Sequence, residues 1–241
     1  MRVLGLWRYP VKSMQGEEIR EADVGELGIT GDRQWAVVDV QTGLALTGRR
    51  EPALLFAHAR IEGAAVVIEL PDGSTATSDD DLSAWLGHPV ELRRASPQHH
   101  GRFEIATDFE AEDSSEWIQW DGPDGTFHDS GRTRVSLISE TAMGGWAWRR
   151  FRANLVIDGE ETELVGCRVR AGSTELEVGK RIDRCVMTTR PQPDGIERDL
   201  DVLRTINRER GGFLGVGALV VEPGSIAVGD EIAVGDEIAV S

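Results

Sequence analysis

The residues best able to do chemistry sit in three short segments far apart in the chain. In Arg181-Ile-Asp-Arg-Cys-Val-Met-Thr-Thr189, Cys185 stands among Arg181, Arg184 and Arg190. Nearby cations favour the thiolate, the form of cysteine that attacks electrophiles and ligates soft metals. The residues alone leave open a strand cysteine packed as a small hydrophobe. Cys167, in Val165-Gly-Cys-Arg-Val169, has apolar neighbours and reads as core. The second segment, Arg149-Arg-Phe-Arg-Ala-Asn154, places donors just before an apolar strand. Arginine's planar fork suits phosphate, and asparagine offers a donor and an acceptor to a heterocycle edge. A solvated turn balancing nearby acids is the plain alternative. The third segment pairs Lys12 and Ser13, at the end of Tyr9-Pro-Val-Lys-Ser13, with Arg33 of Gly31-Asp-Arg33. Lysine, serine and arginine are the types that gather around a phosphate.

Other signatures are missing from the sequence. There is no glycine-rich dinucleotide fingerprint, P-loop or His-Glu-x-x-His pair. Two cysteines cannot supply a four-thiolate iron–sulfur site, and no nucleophile elbow supports a serine triad. His99 and His100 lie in a polar stretch and read as solvated.

With 241 residues, 40% of them hydrophobic, the chain can bury one large domain or two interlocked ones. Its net charge of −16 makes nucleic acid and anionic membrane surfaces poor partners. An anionic ligand would therefore need a local gathering of basic side chains. Pro10 and Lys12 interrupt the start before a signal-peptide core could form, and no run is long enough to span a bilayer. The reading is a soluble, cytoplasmic protein with reduced thiols.

Short strands dominate the pattern. Val3–Trp7, Trp35–Val40, Leu54–Ala57 and Ala65–Leu70 are apolar or β-branched runs punctuated by turns such as Thr42-Gly43 and Pro71-Asp-Gly73. Asp79–Leu86 predicts a short helix with acids in its first turn and Gly87 at its end. Residues 96–131 are polar and read as an excursion or inter-domain stretch. Strands resume at Val135–Ile138, Asn154–Ile157, Cys167–Arg170, Leu176–Val178 and Val216–Val221. Leu200, Leu203 and Ile206 predict a helix over 199–210. Near the C-terminus Ile-Ala-Val-Gly-Asp-Glu occurs at 226–231 and again at 232–237, read as a local duplication that lengthens the tail.

Taken together, the segments resemble one family. Tyr-Pro-Val-Lys-Ser at 9–13, Gly-Asp-Arg-Gln-Trp-Ala-Val-Val-Asp at 31–39 and Leu-Thr-Gly-Arg-Arg-Glu-Pro at 46–52 resemble the MOSC N-terminal β-barrel domain. Arg-Phe-Arg-Ala-Asn at 150–154 and Arg-Cys-Val-Met-Thr-Thr at 184–189 resemble motifs of the MOSC domain itself. The resemblance implies a mixed α+β, predominantly β fold. It would be a β-barrel MOSC fold with an N-terminal barrel subdomain over 1–95, the MOSC domain over 96–241, and few short helices. It also implies a molybdenum cofactor (Mo-molybdopterin) and chemistry independent of pyridoxal phosphate. Cys185 would ligate the metal and serve catalysis. Lys12, Ser13, Arg33, Thr133, Arg152, Asn154 and Arg184 would hold the phosphate and pterin. Two departures stand out: Ala153 replaces the family's usual proline, and Ser139–Arg149 is short and broken by Gly144-Gly145.

The expectation is an oxidoreductase that reduces small N-hydroxylated substrates with electrons from a separate donor protein. A non-enzymatic carrier of the cofactor, or of sulfur as a persulfide on Cys185, is the second reading. An unrelated β-barrel domain with structural arginines is the third. Oligomeric state is left open.

Overall fold

The computed structural model describes residues 1–98, 100–108 and 114–238; His99 of the histidine pair lies outside them. In chain order the first strands are β1 (Val3–Arg8), β2 (Glu17–Ile19), β3 (Glu21–Gly25), β4 (Gly28–Ile29), β5 (Trp35–Asp39), β6 (His58–Glu62), β7 (Ala65–Glu69) and β8 (Thr75–Ala76). Helix α1 (Asp79–Leu86) leads to β9 (Val90–Arg94), β10 (His100–Ala106) and β11 (Trp117–Asp124). The C-terminal half holds β12 (Val135–Ser139), β13 (Leu155–Ile157), β14 (Cys167–Ala171), β15 (Thr174–Asp183), helix α2 (Leu200–Arg210), β16 (Phe213–Glu222), β17 (Gly224–Ala227) and β18 (Ile232–Glu237). The fold is mostly β with a curled half-barrel sheet, as the sequence led us to expect.

That sheet runs β18-β14-β15-β16-β12-β13-β1-β2. Its centre is covered on both faces, so every residue of β12 and β13 is buried, Ser136 and Ser139 of β12 included. β15 begins instead by alternating, with Leu176 and Val178 inward and Glu175 and Glu177 partly exposed. Leu137, Leu155, Ile157, Leu176, Val178 and Val216 form the main core. Each such side chain contributes roughly 1.5–3 kcal/mol on burial. A second core under the N-terminal strands gathers Val11, Met14, Val37, Leu54, Ile68 and Leu82.

Both helices form where the sequence places them, because their ends are capped. Ser78 and Asp81 make a reciprocal capping box for α1, and Gly87 closes it in the left-handed region. Asp199 caps α2 and Gly211 ends it likewise. Among the described residues no helix is long and apolar enough to cross a membrane.

Two readings need correction. Leu54–Ala57 is not a strand: Pro52–Phe56 is a short 3-10 helix, started by Pro52 and capped by the Glu51 side chain on Ala53 N. Proline fixes φ and lacks the N–H a ladder needs, so the turn wins over the apolar run. The stretch 96–131 is not a plain excursion, since β10 and β11 pair there as a hairpin. β10 alternates, with Gly101 and Phe103 buried between exposed His100 and Arg102, but β11 exposes Ile118 and ends in Asp-Gly-Pro-Asp, which reads as a turn. The length that the C-terminal repeat adds is used in sheets. Its first copy starts in β17 against β3, and its second forms β18 against β14.

Candidate functional site

Three tight turns build the site. β1 runs out through Tyr9 and Pro10 to Lys12, whose N–H donates to Trp35 O at 2.9 Å. Arg33 precedes β5, and its N–H donates to Tyr9 O at 2.7 Å. Arg152 follows the 3-10 turn Trp148–Arg150 and leads into β13. Ser13, Arg33 and Arg152 have φ of 68°, 49° and 52°, and Asp194 is the remaining non-glycine residue at positive φ among the described residues. Such a backbone costs a side-chain-bearing residue about 1–3 kcal/mol and persists only where surroundings over-determine it. Here the strain concentrates on three candidate site residues.

All eight candidates line one cavity of about 380 Å³: Lys12, Ser13, Arg33, Thr133, Arg152, Asn154, Arg184 and Cys185. That size lies within the roughly 300–1,000 Å³ of small-molecule sites. Lys12 Nζ is buried, donates to Phe127 O at 3.1 Å and Asp129 Oδ1 at 2.6 Å, and stands 4.2 Å from the Phe103 ring centroid. Ser13 Oγ accepts from Gly48 N at 2.9 Å, tying the first turn to residues 47–49. Arg33 pairs with buried Asp32 and donates Nη2 to Arg152 O at 3.0 Å. Arg152 Nη1 donates to Met14 O. Arg184 spans Leu214 O through Nε at 2.7 Å and Phe151 O through Nη1 at 2.8 Å.

Asn154 is more committed to the fold than its type suggested. Its Oδ1 accepts from Ser136 N at 3.1 Å and Ser136 Oγ at 2.8 Å, while Nδ2 donates to Trp7 O at 3.2 Å. It therefore clamps β1, β12 and β13 at the cavity floor. Thr133 lies at the start of β12, where a methyl group on Gly217 would collide with its hydroxyl.

Cys185 is half-buried and lies just beyond β15, capping the 3-10 turn Val186–Thr189. Its carbonyl accepts from Thr188 N at 3.1 Å and Thr188 Oγ1 at 3.0 Å, leaving the side chain to line the cavity. It is neither in a strand nor sealed in hydrocarbon. The flanking arginines do not all serve it. Arg181 is exposed, with Cζ 4.7 Å from the Phe213 ring and Nη2 on Arg210 O, and Arg190 donates to Arg49 O. Arg184 alone of the three lines the cavity.

The cavity is electrostatically uneasy. Burial, helped by Arg33, pushes the Arg152 guanidinium down to about 10. Burial likewise takes Arg184 to about 10, with Cys185 and Asp183 pulling the other way. Burial lowers Lys12 against the upward pull of Asp129, whereas for Arg33 burial, the largest single influence, is overcome by Asp32 together with Tyr9 and Asp129, and its pKa is raised. Arg152 Nη2, Arg184 Nη2 and Thr47 Oγ1 are buried with no hydrogen-bond partner, and all three residues line the cavity. Orphaned cationic donors in a desolvated pocket are what an oxyanion would satisfy.

Several lining residues were not singled out from sequence. Thr47 lay inside a quoted motif. His128 and Asp129 fell in the stretch read as an excursion, where only the Phe-His-Asp cluster after Gly125 could have signalled them. Arg150 is buried and donates to the carbonyls of Thr188, Arg190 and Glu197, fastening the cysteine turn. Its neighbour Arg149 instead pairs at the surface with Asp194.

A curled β sheet with a basic, cysteine-bearing cavity at the junction of its two halves agrees with what family comparison finds. Residues 1–112 match the MOSC N-terminal beta barrel domain and residues 126–233 the MOSC domain, so the chain belongs to the MOSC family. A molybdenum cofactor sulfurase of Danio rerio is 26% identical over 86% of this chain, which spans 30% of that protein. Mitochondrial amidoxime-reducing component 1 of Homo sapiens is 23% identical over 95% of the chain and 81% of its own length. Among solved structures, the YuaD protein of Bacillus subtilis aligns over 96% of this chain and 93% of its own, with a TM-score of 0.45 and 16% identity.

Proposed function

We propose that this cavity binds a molybdenum cofactor, with Cys185 Sγ as the protein's ligand to the metal, and that the chain reduces small N-hydroxylated compounds. The observation carrying the reading is the convergence of Lys12, Arg33, Arg152, Arg184 and Cys185 on one cavity in a chain of net charge −16. Among the described residues no three His, Cys, Asp or Glu side chains gather to hold a metal ion. A metal bound by Cys185 would therefore bring most of its ligands with it, as a dithiolene cofactor does, and a thiolate suits its sulfur-rich shell.

The residues fit such a group. Arg152 and Arg184 offer free N–H edges, Thr47 a free hydroxyl, and Lys12 and Ser13 line the same cavity. The cofactor, when bound, supplies the two-electron redox chemistry. The chain's part is to bind and orient. Arg150 holds the turn that carries Cys185, Asn154 ties β1 to β12 and β13 beneath the cavity, and Ile105, Trp120 and Met187 add apolar lining for a small substrate. Electrons come from a separate protein.

Cys185→Ser tests the assignment. After co-expression with cofactor synthesis, the wild type should carry molybdenum and pterin, and the variant should fold but lose molybdenum at least about tenfold. Equal molybdenum in the two proteins would sink the ligand role. Loaded wild type given a chemical reductant and a model amidoxime should yield the amidine. Bound cofactor without turnover would assign the chain to cofactor or sulfur carriage instead.

A further inference from the structure

Tyr9 is the chain's single tyrosine and is 1% exposed. Its ring centroid lies 4.5 Å from Arg152 Cζ and 5.0 Å from Arg33 Cζ. Its backbone is tied to the same neighbourhood: the N–H donates to Asp32 Oδ1 at 2.7 Å and the carbonyl accepts from Arg33 N at 2.7 Å. The phenol donates to Ala153 O at 3.3 Å, next to Arg152. A Cβ on Gly16 would stand 2.6 Å from Tyr9 Cδ1, so the backbone there leaves room for the ring. One side chain thus touches both turns that present an arginine in the left-handed conformation.

Two guanidiniums brought together away from water repel each other. Arg33 is relieved by Asp32, but Arg152 keeps Nη2 buried and unpartnered. The negative face of an aromatic ring attracts cations, and more strongly once they are desolvated. A ring shared by both arginines therefore does what a second carboxylate could not: it holds the cations in place without cancelling the charge an anion would need.

We propose that Tyr9 is a positioning residue, its ring carrying Arg33 and Arg152 together so that the free edge of Arg152 is preset for a phosphate oxyanion. The inference deepens the cofactor reading and rests on it, but inorganic phosphate alone can test it. The active element is the ring face, so Tyr9→Phe retains the function and Tyr9→Leu, aliphatic and without a π face, loses it.

The single tyrosine gives a clean probe. In the full chain labelled at tyrosine, phosphate titration should move the Tyr9 ring resonances saturably. Phosphate affinity by calorimetry should stay within about threefold in Tyr9→Phe and fall about tenfold or more in Tyr9→Leu. Retention by Tyr9→Phe separates the ring's role from simple packing at the hydroxyl. Absence of a saturable shift, equal losses in both variants, or a folded Tyr9→Leu chain that binds like wild type would each overturn the proposal. Where Tyr9→Leu does not fold, the wild-type shift and the Tyr9→Phe affinity decide. Loss of the cofactor reading would show separately, as absence of molybdenum and pterin from the co-expressed wild type.

Discussion

At Arg152, burial and the nearby Arg33 both oppose the charge, while a left-handed backbone adds strain at the same residue. Among the described residues the Arg152 side chain donates a hydrogen bond to Met14 O and forms no ion pair, so the fold draws little on its charge. Arg152→Met should therefore change the free protein's stability by no more than about 1 kcal/mol in chemical denaturation. The same variant should abolish stabilisation by added phosphate, which in the wild type grows with ligand concentration. A large loss of intrinsic stability would mean that the residue serves the fold. Asn154 makes the contrast clear. Its type and position suggested a cofactor contact, yet Ser136 and Trp7 already claim its amide. Residue types in a motif show which chemistry is possible, and only the partners show which is spare.

Two connections of the main sheet deliver the C-terminal site residues. One is a crossover that joins the parallel pair β12 and β13 through 3-10 turns and carries Arg150 and Arg152; the other links the antiparallel neighbours β15 and β16 and carries Arg184, Cys185 and α2. Arg150 links them by three hydrogen bonds to carbonyls. Arg150→Met should lower stability by about 2–4 kcal/mol, because charged hydrogen bonds are lost and buried carbonyls are left bare. The loss should appear as lowered hydrogen-exchange protection around 186–190, and a change under 1 kcal/mol would contradict the clamp. The sequence showed α1 and α2 because caps and spacing are local signals. It did not show the hairpin of β10 and β11, because β11 exposes Ile118 and closes on Asp-Gly-Pro-Asp, nor Arg150's target, which lies 38 to 47 positions away in the chain. The site residues were legible as three motifs. Their convergence depends on long-range sheet pairing that no local pattern states.

For the molecule as a whole, the basic cavity sits inside a strongly acidic protein, and His128 on its wall makes the stability depend on pH. Burial, then Arg33, lowers His128 from 6.5 to about 3 in the folded state. The unfolded chain takes up this proton below pH 6.5, whereas the folded chain refuses it until about pH 3. The contribution is therefore complete above pH 6.5 and is lost as pH falls, by about 1.4 kcal/mol per pH unit. Between pH 6.5 and 5 the wild type should lose about 2 kcal/mol more than His128→Gln in urea denaturation. Parallel slopes would show that His128 is charged within the fold.

The duplicated hexapeptide ends in two sheets, with Ile226 and Ile232 both buried in the main core. The copies do not run through one strand, because a turn at 228–229 separates β17 from β18. Within β18 only Ile232 is buried, and the rest of that copy faces water. Each copy therefore drives a single hydrocarbon peg into the interior and spends its remaining residues on a turn or an open sheet edge, so the rim of the half-barrel is pinned twice by the same short phrase.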